Sequence, residues 1–353
     1  MTRIFVAEQS YFEERAAGLV SMHQGRVPQA LAQIRDWHPE FAGLADEAVA
    51  AAPFNLDAAR LVYAREHGSE SWDAFLRWVQ EIADGRRREP FRDAFVALEQ
   101  RRFDEFDALL RANPDLPRAR GTNGNALLNL AISVAPGEMR IVELLLEGGA
   151  DVNQGNNRGW TALHQAGYSN KPDLAKRLLA AGADPTREGH GEGGTPLAAA
   201  LFWGHREVAD ALAEAEIAPR NLRIAAGLRR RDLIDEFFDA TSALKPAAFE
   251  GRGFYRPHSG FPVWQPSRDP QEVLNEALVW AAKADRVEVL GTLIERGADM
   301  NAVSRNSAHL GGGEQSAGIR AMAAGAWGED RPRDFRRTVT WTGDYGAASG
   351  GAE

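Results

Sequence analysis

"TALHQAGYSNKPDLAKRLLAAGADPT", residues 161–186, reads as two short helices and a turn. Thr161 stands where an N-cap hydroxyl can accept from an early helical N–H. The small Ala residues of the first segment permit close packing of neighbours. The second segment ends on Leu178-Leu179, which points at a core, and Gly182 supplies the left-handed residue that closes a helix. The polar stretch beyond it projects as a loop or hairpin. One such unit cannot bury its apolar face alone, so units must stack.

Copies of the unit lie on both sides. "RIVELLLEGGADVN" (140–153) matches 173–186 and aligns Asp151 with Asp184, a period of about 33 residues. Thr195-Pro196-Leu197-Ala198-Ala199-Ala200 repeats the 161–166 start at nearly the same interval, with Pro196 at a first helical position where its missing N–H costs nothing. Upstream, "FVALEQRRFDEFDALLRANPDL" (95–116) has the two-helix shape, with Leu109-Leu110 aligned to Leu145-Leu146. Downstream the interval shortens: Ala200 and Val208 recur at Ala225 and Leu233, so "EAEIAPRN" replaces a finger. The next interval is long, since Ala225 and Leu233 recur only at Ala281 and Val289. The excess is the insert "FEGRGFYRPHSGFPVWQPSRDP" (249–270), and the repeat 275–302 follows it.

The T-P/A-L-H-x-A start with the L-L-x-x-G-A-D end resembles the ankyrin repeat. The resemblance implies an all-α fold, an ankyrin-repeat α-solenoid of helix-turn-helix units with hairpin fingers, spanning 89–302 in about six repeats. It also implies protein–protein interaction through a concave face and fingers. In this pattern His164 hydrogen-bonds near the cap and the next turn. Residues 1–88 lack fingers and show helical spacing at Phe12, Leu19 and Met22, then at Ala30, Ile34 and Trp37. "LDAARLVYAREHGSESWDAFLRWVQEI" (56–82) splits at Gly68, with Ser71 capping its second half. Trp72, Phe75 and Trp78 on that half read as core or capping contacts. This segment resembles the helical leader before the repeats of many bacterial ankyrin proteins, and it would shield the first repeat.

Composition limits the function. A net charge of −9 with a pI near 5.5 disfavours nucleic acid. The basic run Arg229–Arg231 is followed at once by Asp232, Asp235 and Glu236 and reads as a solvated helix face. No run reaches the roughly 18 apolar residues of a membrane span, and the start is not a secretory signal. The chain has no Cys, which excludes disulfides and thiolate metal sites or nucleophiles. These features favour the cytoplasm. Gly191-Glu192-Gly193-Gly194 lacks a Lys-Ser/Thr partner and reads as a finger loop. Neither G-x-S-x-G nor H-E-x-x-H occurs, and the eight His are scattered. No metal or cofactor is expected.

The reading is therefore a non-enzymatic scaffold with a protein partner. Candidate contacts come from the variable positions: Asn157, Arg158 and Trp160 near one finger, Arg187, Glu188 and His190 near the next, and Trp203 and His205 between helices. Phe254, Tyr255, Arg256, His258, Phe261 and Trp264 in the insert mix aromatics and Arg, the types enriched at hot spots. The alternative for the insert is a loop folded back over the place where a finger is missing. The alternative for the whole chain is an enzyme or small-molecule binder between leader and first repeats, using His38 and His67, or a truncated nonfunctional product.

Residues 303–353 are Gly/Ala-rich and keep no helical period, which composition reads as a disordered tail. Read one nucleotide later, Asn306–Gly313 allows Thr-Pro-Leu-Ile-Trp-Ala-Ala-Ala. Met322–Gly328 allows Trp-Leu-Leu-Glu-His-Gly-Ala, and Asp344–Gly351 allows Thr-Thr-Ala-Leu-His-Leu-Ala-Ala. The expectation is a frameshifted further repeat, leaving the 275–302 unit without its cover.

Overall fold

Helix starts follow the caps. Asn55, Ser71, Thr195, Asn221 and Asp269 each accept, through a side-chain oxygen, a backbone N–H of the first helical turn. In the computed structural model, residues 2–215, 221–254 and 266–302 are described. Residues 303–353, and with them the tail expectation, lie outside the described residues. The described part is helical and, apart from three isolated β-bridges, holds no strand. It forms two compact units that divide between Ala162 and Leu163.

The first unit begins with five helices: α1 (Gln9–Gln24), α2 (Pro28–Trp37), α3 (Asp46–Ala51), α4 (Leu56–Glu66) and α5 (Trp72–Ala83). Phe12, Leu19, Ile34, Val62, Phe75 and Val79 fill one core between them, with Trp72 and Trp78 packed against its edge. Two helix pairs follow: α6 (Pro90–Glu99) with α7 (Phe103–Ala112), and α8 (Leu127–Val134) with α9 (Met139–Glu147). The extended N-terminus ties the leader to these repeats. Thr2 N donates to Glu66 O at 3.0 Å and Arg3 N to Arg120 O at 2.7 Å. Arg92 donates to Phe5 O at 2.7 Å, and the buried Phe5 ring lies 5.0 Å from Phe95. Leader and first repeats are therefore one packed body.

The second unit carries α10 (Ala162–Tyr168, entering from the boundary), α11 (Pro172–Ala180), α12 (Pro196–Phe202) and α13 (Arg206–Ala213). It continues with α14 (Leu222–Gly227), α15 (Arg231–Glu236), α16 (Pro270–Lys283) and α17 (Val287–Glu295). Leu222, Ala226, Ile234, Phe238, Leu278, Val289 and Leu293 share a core. Arg229 and Arg230 are paired, to Glu288 at 3.2 Å and Asp232 at 2.6 Å, and Arg231 donates to Thr292 at 2.8 Å.

The repeat end has one geometry at three places. Gly149, Gly182 and Gly297 adopt φ of 85°, 89° and 96°, where a side chain would strain. Ala150, Ala183 and Ala298 then donate back to Leu145 O, Leu178 O and Leu293 O. Asp151, Asp184 and Asp299 next accept from the N–H two residues on, at 2.9, 2.9 and 2.8 Å. The G-A-D motif is thus a helix stop followed by an Asx-type turn that launches the finger.

Two details differ from the sequence reading. The first Leu of the pair is fully buried at Leu145 and Leu178, but in α7 it is Leu110, the second, that is buried. The true match is Leu110 to Leu145, one residue off the expected register, because Phe106 and Leu110 share the buried face of α7 as Ile141 and Leu145 share that of α9. Helix α16 starts at Pro270, ahead of the repeat expected from 275: Asp269 caps it and Pro270 takes the first position, so the end of the insert is already helix.

Replacing Phe5 by Ala should cost about 3 kcal/mol, the cavity cost of a buried ring. Urea unfolding should show the leader and α6–α8 losing stability together. A loss confined to the leader would show that the N-terminal tie is not structural.

Candidate functional site

The finger from Asp184 to Gly194 is held at its base. His164 on α10 is fully buried, with Nε2 2.9 Å from Gly194 O and a further hydrogen bond to the Arg187 backbone. Burial brings its pKa down to about 4, outweighing these backbone contacts, which raise it. Neutral at ordinary pH, the ring fastens the finger through its hydrogen bond to Gly194 O.

The far side of the finger meets the start of the insert. A Cβ on Gly193 would lie 2.0 Å from Gly251 O, so only glycine allows this approach of two backbones. Asn221, which caps α14, also donates from Nδ2 to Gly251 O at 2.8 Å. Arg252 is 1% exposed and satisfied on every side. It forks onto Glu276 (2.8 Å to each oxygen), reaches Glu272 at 2.7 Å and donates to Ser267 O at 2.8 Å. Phe254 is buried with its ring 5.6 Å from Phe202, and Trp280 packs on the same Phe202 ring at 6.3 Å. Residues 249–254 are thus packed into the second unit.

The candidate contacts separate accordingly. Arg187 and Glu188 are exposed on the fastened finger, and His190 is half-buried. Trp203 is half-buried, its ring edge-on to Tyr168 at 5.3 Å. His205 is half-buried and bonded to the Tyr168 backbone, with its pKa lowered by burial. In the first unit Asn157 donates to Glu66 of the leader at 3.3 Å. Arg158 is half-buried beside it, and Trp160 is 5% exposed and so packs. Phe254 is packed as well. Tyr255, Arg256, His258, Phe261 and Trp264 lie outside the described residues.

The imidazoles considered for chemistry are enclosed. His67 is fully buried between Phe12 and Phe75, ring centroids 5.6 and 4.9 Å away, and Nδ1 sits 2.7 Å from Tyr63 O. His38 is buried, and its Nδ1 accepts from Glu40 N at 3.3 Å. Burial lowers both pKa values. Among the described residues no three His, Asp or Glu stand together as a metal site. No described helix is long and apolar enough to cross a membrane.

Sequence reasoning missed three organising residues. Asn156 accepts through Oδ1 from Arg158 N at 2.9 Å and Trp160 N at 3.0 Å, shaping the finger tip. Glu66, buried, joins Gln33 at 2.8 Å to Asn157. Arg252 anchors the insert. Only Asn156 has a local signal, an Asn in a Gly-flanked turn.

Two outcomes follow. The unfolded pKa of 6.5 and folded value of about 4 for His164 mean that the unfolded chain binds the extra proton between them. Stability is therefore complete above pH 6.5 and falls as pH drops toward 4, by about 3 kcal/mol from this group. Denaturant unfolding at neutral pH and near the folded pKa should show the fall, and His164→Gln, weaker at neutral pH, should show a shallower one. Arg252→Ala strands two shielded carboxylates and should cost about 3–5 kcal/mol in the same assay.

The family model for ankyrin repeats in three copies matches residues 95–189 and 128–221, and a single ankyrin repeat matches 275–305. Over 112 residues, 31% of this chain, the sequence is 34% identical to ankyrin repeat and SAM domain-containing protein 6 of Rattus norvegicus, covering 12% of that protein. Over 60 residues, 17% of this chain, it is 40% identical to protein phosphatase 1 regulatory subunit 27 of Homo sapiens, covering 39% of that protein. Over 101 residues, 29% of this chain, it is 41% identical to the E3 ubiquitin-protein ligase XBAT32 of Arabidopsis thaliana, covering 20% of that protein. The chain thus spans about an eighth of the first of these relatives and less than half of the others. The motif, the repeated helix-stop geometry and these matches agree: the chain carries ankyrin repeats over residues 95–221 and 275–305.

Proposed function

We propose that this chain is a non-enzymatic scaffold that binds a protein partner in the cytoplasm, with the finger from Asp184 to Gly194 as its principal described contact. One observation carries the reading. That finger is locked by His164 and by the backbone of 251–254, while the side chains of Arg187 and Glu188 on it are exposed. A loop fixed before binding loses little entropy when a partner arrives. Opposite charges side by side suit a partner surface of mixed polarity rather than a phosphate backbone, as does the net charge of −9.

The enclosed imidazoles support the same reading. His23, His38, His67, His164 and His205 each spend a ring nitrogen on a backbone group, and the other nitrogen of His67 is shut in the core. A general base instead needs a lone pair within reach of substrate. The relative named as a phosphatase regulatory subunit is by that name a protein acting through another protein. Trp203, His205, His190, Asn157 and Arg158 belong to the proposal as rim positions. Tyr255, Arg256, His258 and Trp264 belong to it for their residue types alone.

The test uses the purified full chain as bait in extract of its source organism, then titration against the retained protein. Because Arg187 and Glu188 are exposed, Arg187→Ala with Glu188→Ala should leave the unfolding midpoint unchanged and weaken binding at least tenfold. Full affinity in that variant, and also in Tyr255→Ala with Trp264→Ala, would contradict the proposal.

A further inference from the structure

The last described turn is a handover. At Asp151 and at Asp184 the G-A-D turn opens a finger that leads to another first helix, α10 and α12. Asp299 repeats that turn: Gly297 is left-handed, Ala298 donates to Leu293 O, and Asn301 N donates to the Asp299 carboxylate. Ala302 N also donates to Asp299 O at 2.8 Å, as Gln154 N does to Asp151 O at 3.0 Å. A finger opened in this way calls for a further repeat, but the residues that follow spell none in their own phase.

We propose that residues 306–351 are read one nucleotide out of phase from a coding sequence for at least one further repeat. The α16–α17 pair is then an internal member of the array, and that repeat packs against it. The tail composition follows from the shift. A GCG run, alanine in its own phase, reads as GGC, glycine, when entered one base early, and a CTG run reads as alanine. Gly311-Gly312-Gly313 thereby stands for Ala-Ala-Ala, and Ala323-Ala324 for Leu-Leu.

Two positions have no freedom, because their codons are unique. Met322 before a G must decode as Trp, and Trp327 before a G must decode as Gly. Position 327 stands at the same offset from the Thr decoded at 306 as Gly182 does from Thr161. The Leu-Leu decoded at 323–324 likewise lies as far beyond that Thr as Leu178-Leu179 lie beyond Thr161. A second start, Thr-Ala-Leu-His, decodes from Tyr345–Ala348 and reproduces Thr161–His164 residue for residue. Elsewhere third bases are free, so those positions permit the repeat without requiring it, and the coding sequence decides them.

The length of the finger narrows the lesion. The Thr decoded at 306 comes three positions sooner after Asp299 than Thr161 does after Asp151. One extra base, once removed, restores the phase and keeps the short finger. Eight missing bases, once replaced, restore the phase and the longer spacing together.

The test is to sequence the coding DNA from codon 299 to codon 351 in the source organism, then express the corrected gene beside the chain as given. The expected result is an open shifted phase with ACN-CCN-CTN at 306–308 and a length defect between 299 and 306. The corrected chain should unfold at higher urea, since α16–α17 gains a neighbour. A stop codon in the shifted phase, third bases that spell no repeat, or an unchanged midpoint in the corrected chain would overturn the proposal.

Discussion

Helix α12 is seven residues long and α14 is six, and every residue of both is buried. Helices so short do not hold together alone in water, since nucleation costs more than one or two turns return. With no solvent face of their own, they exist only because other helices cover them. α13 and α16 lie against α12, and α15 and α16 against α14. That dependence on neighbours is the constraint from which the rest of the chain follows. It explains the small Ala residues, since close approach needs them. It explains why the leader is laid on the first repeats through Phe5 rather than left as a separate domain.

The same constraint separates structure from function in the fingers. The buried polar atoms of each turn are satisfied by neighbours: His164 serves Gly194, Asn129 serves Trp160 O at 2.9 Å, and Asn221 serves Gly251. Residues whose polar groups are spent in this way are held in place and unavailable for chemistry. The side chains of Arg187 and Glu188, in the finger that His164 holds, are exposed.

The sequence was legible where the signal was local. The helix pairs from 161 to 213, the caps at Ser71 and Thr195, and the left-handed Gly149 and Gly182 rest on motifs of a few residues, and each stands where its spacing puts it. Two local signals were misread in favour of the repeat period: Asp269-Pro270 was assigned to the insert, and Leu109 to the buried register. Long-range partnerships were not legible. Arg252 meets Glu276 across 24 residues and Glu66 meets Asn157 across 91, and nothing in either neighbourhood announces the other. Trp160 and Phe254, singled out as contacts, are packed, because an aromatic in a variable segment has the same residue-level signature whether it faces a core or a partner.

Amide hydrogen exchange on the native chain tests the dependence on neighbours most directly. The account requires α12 and α14, short but enclosed, to exchange more slowly than α7, which has ten residues yet keeps a solvent face. Rapid exchange in α12 and α14, with protection tracking helix length instead of enclosure, would contradict it.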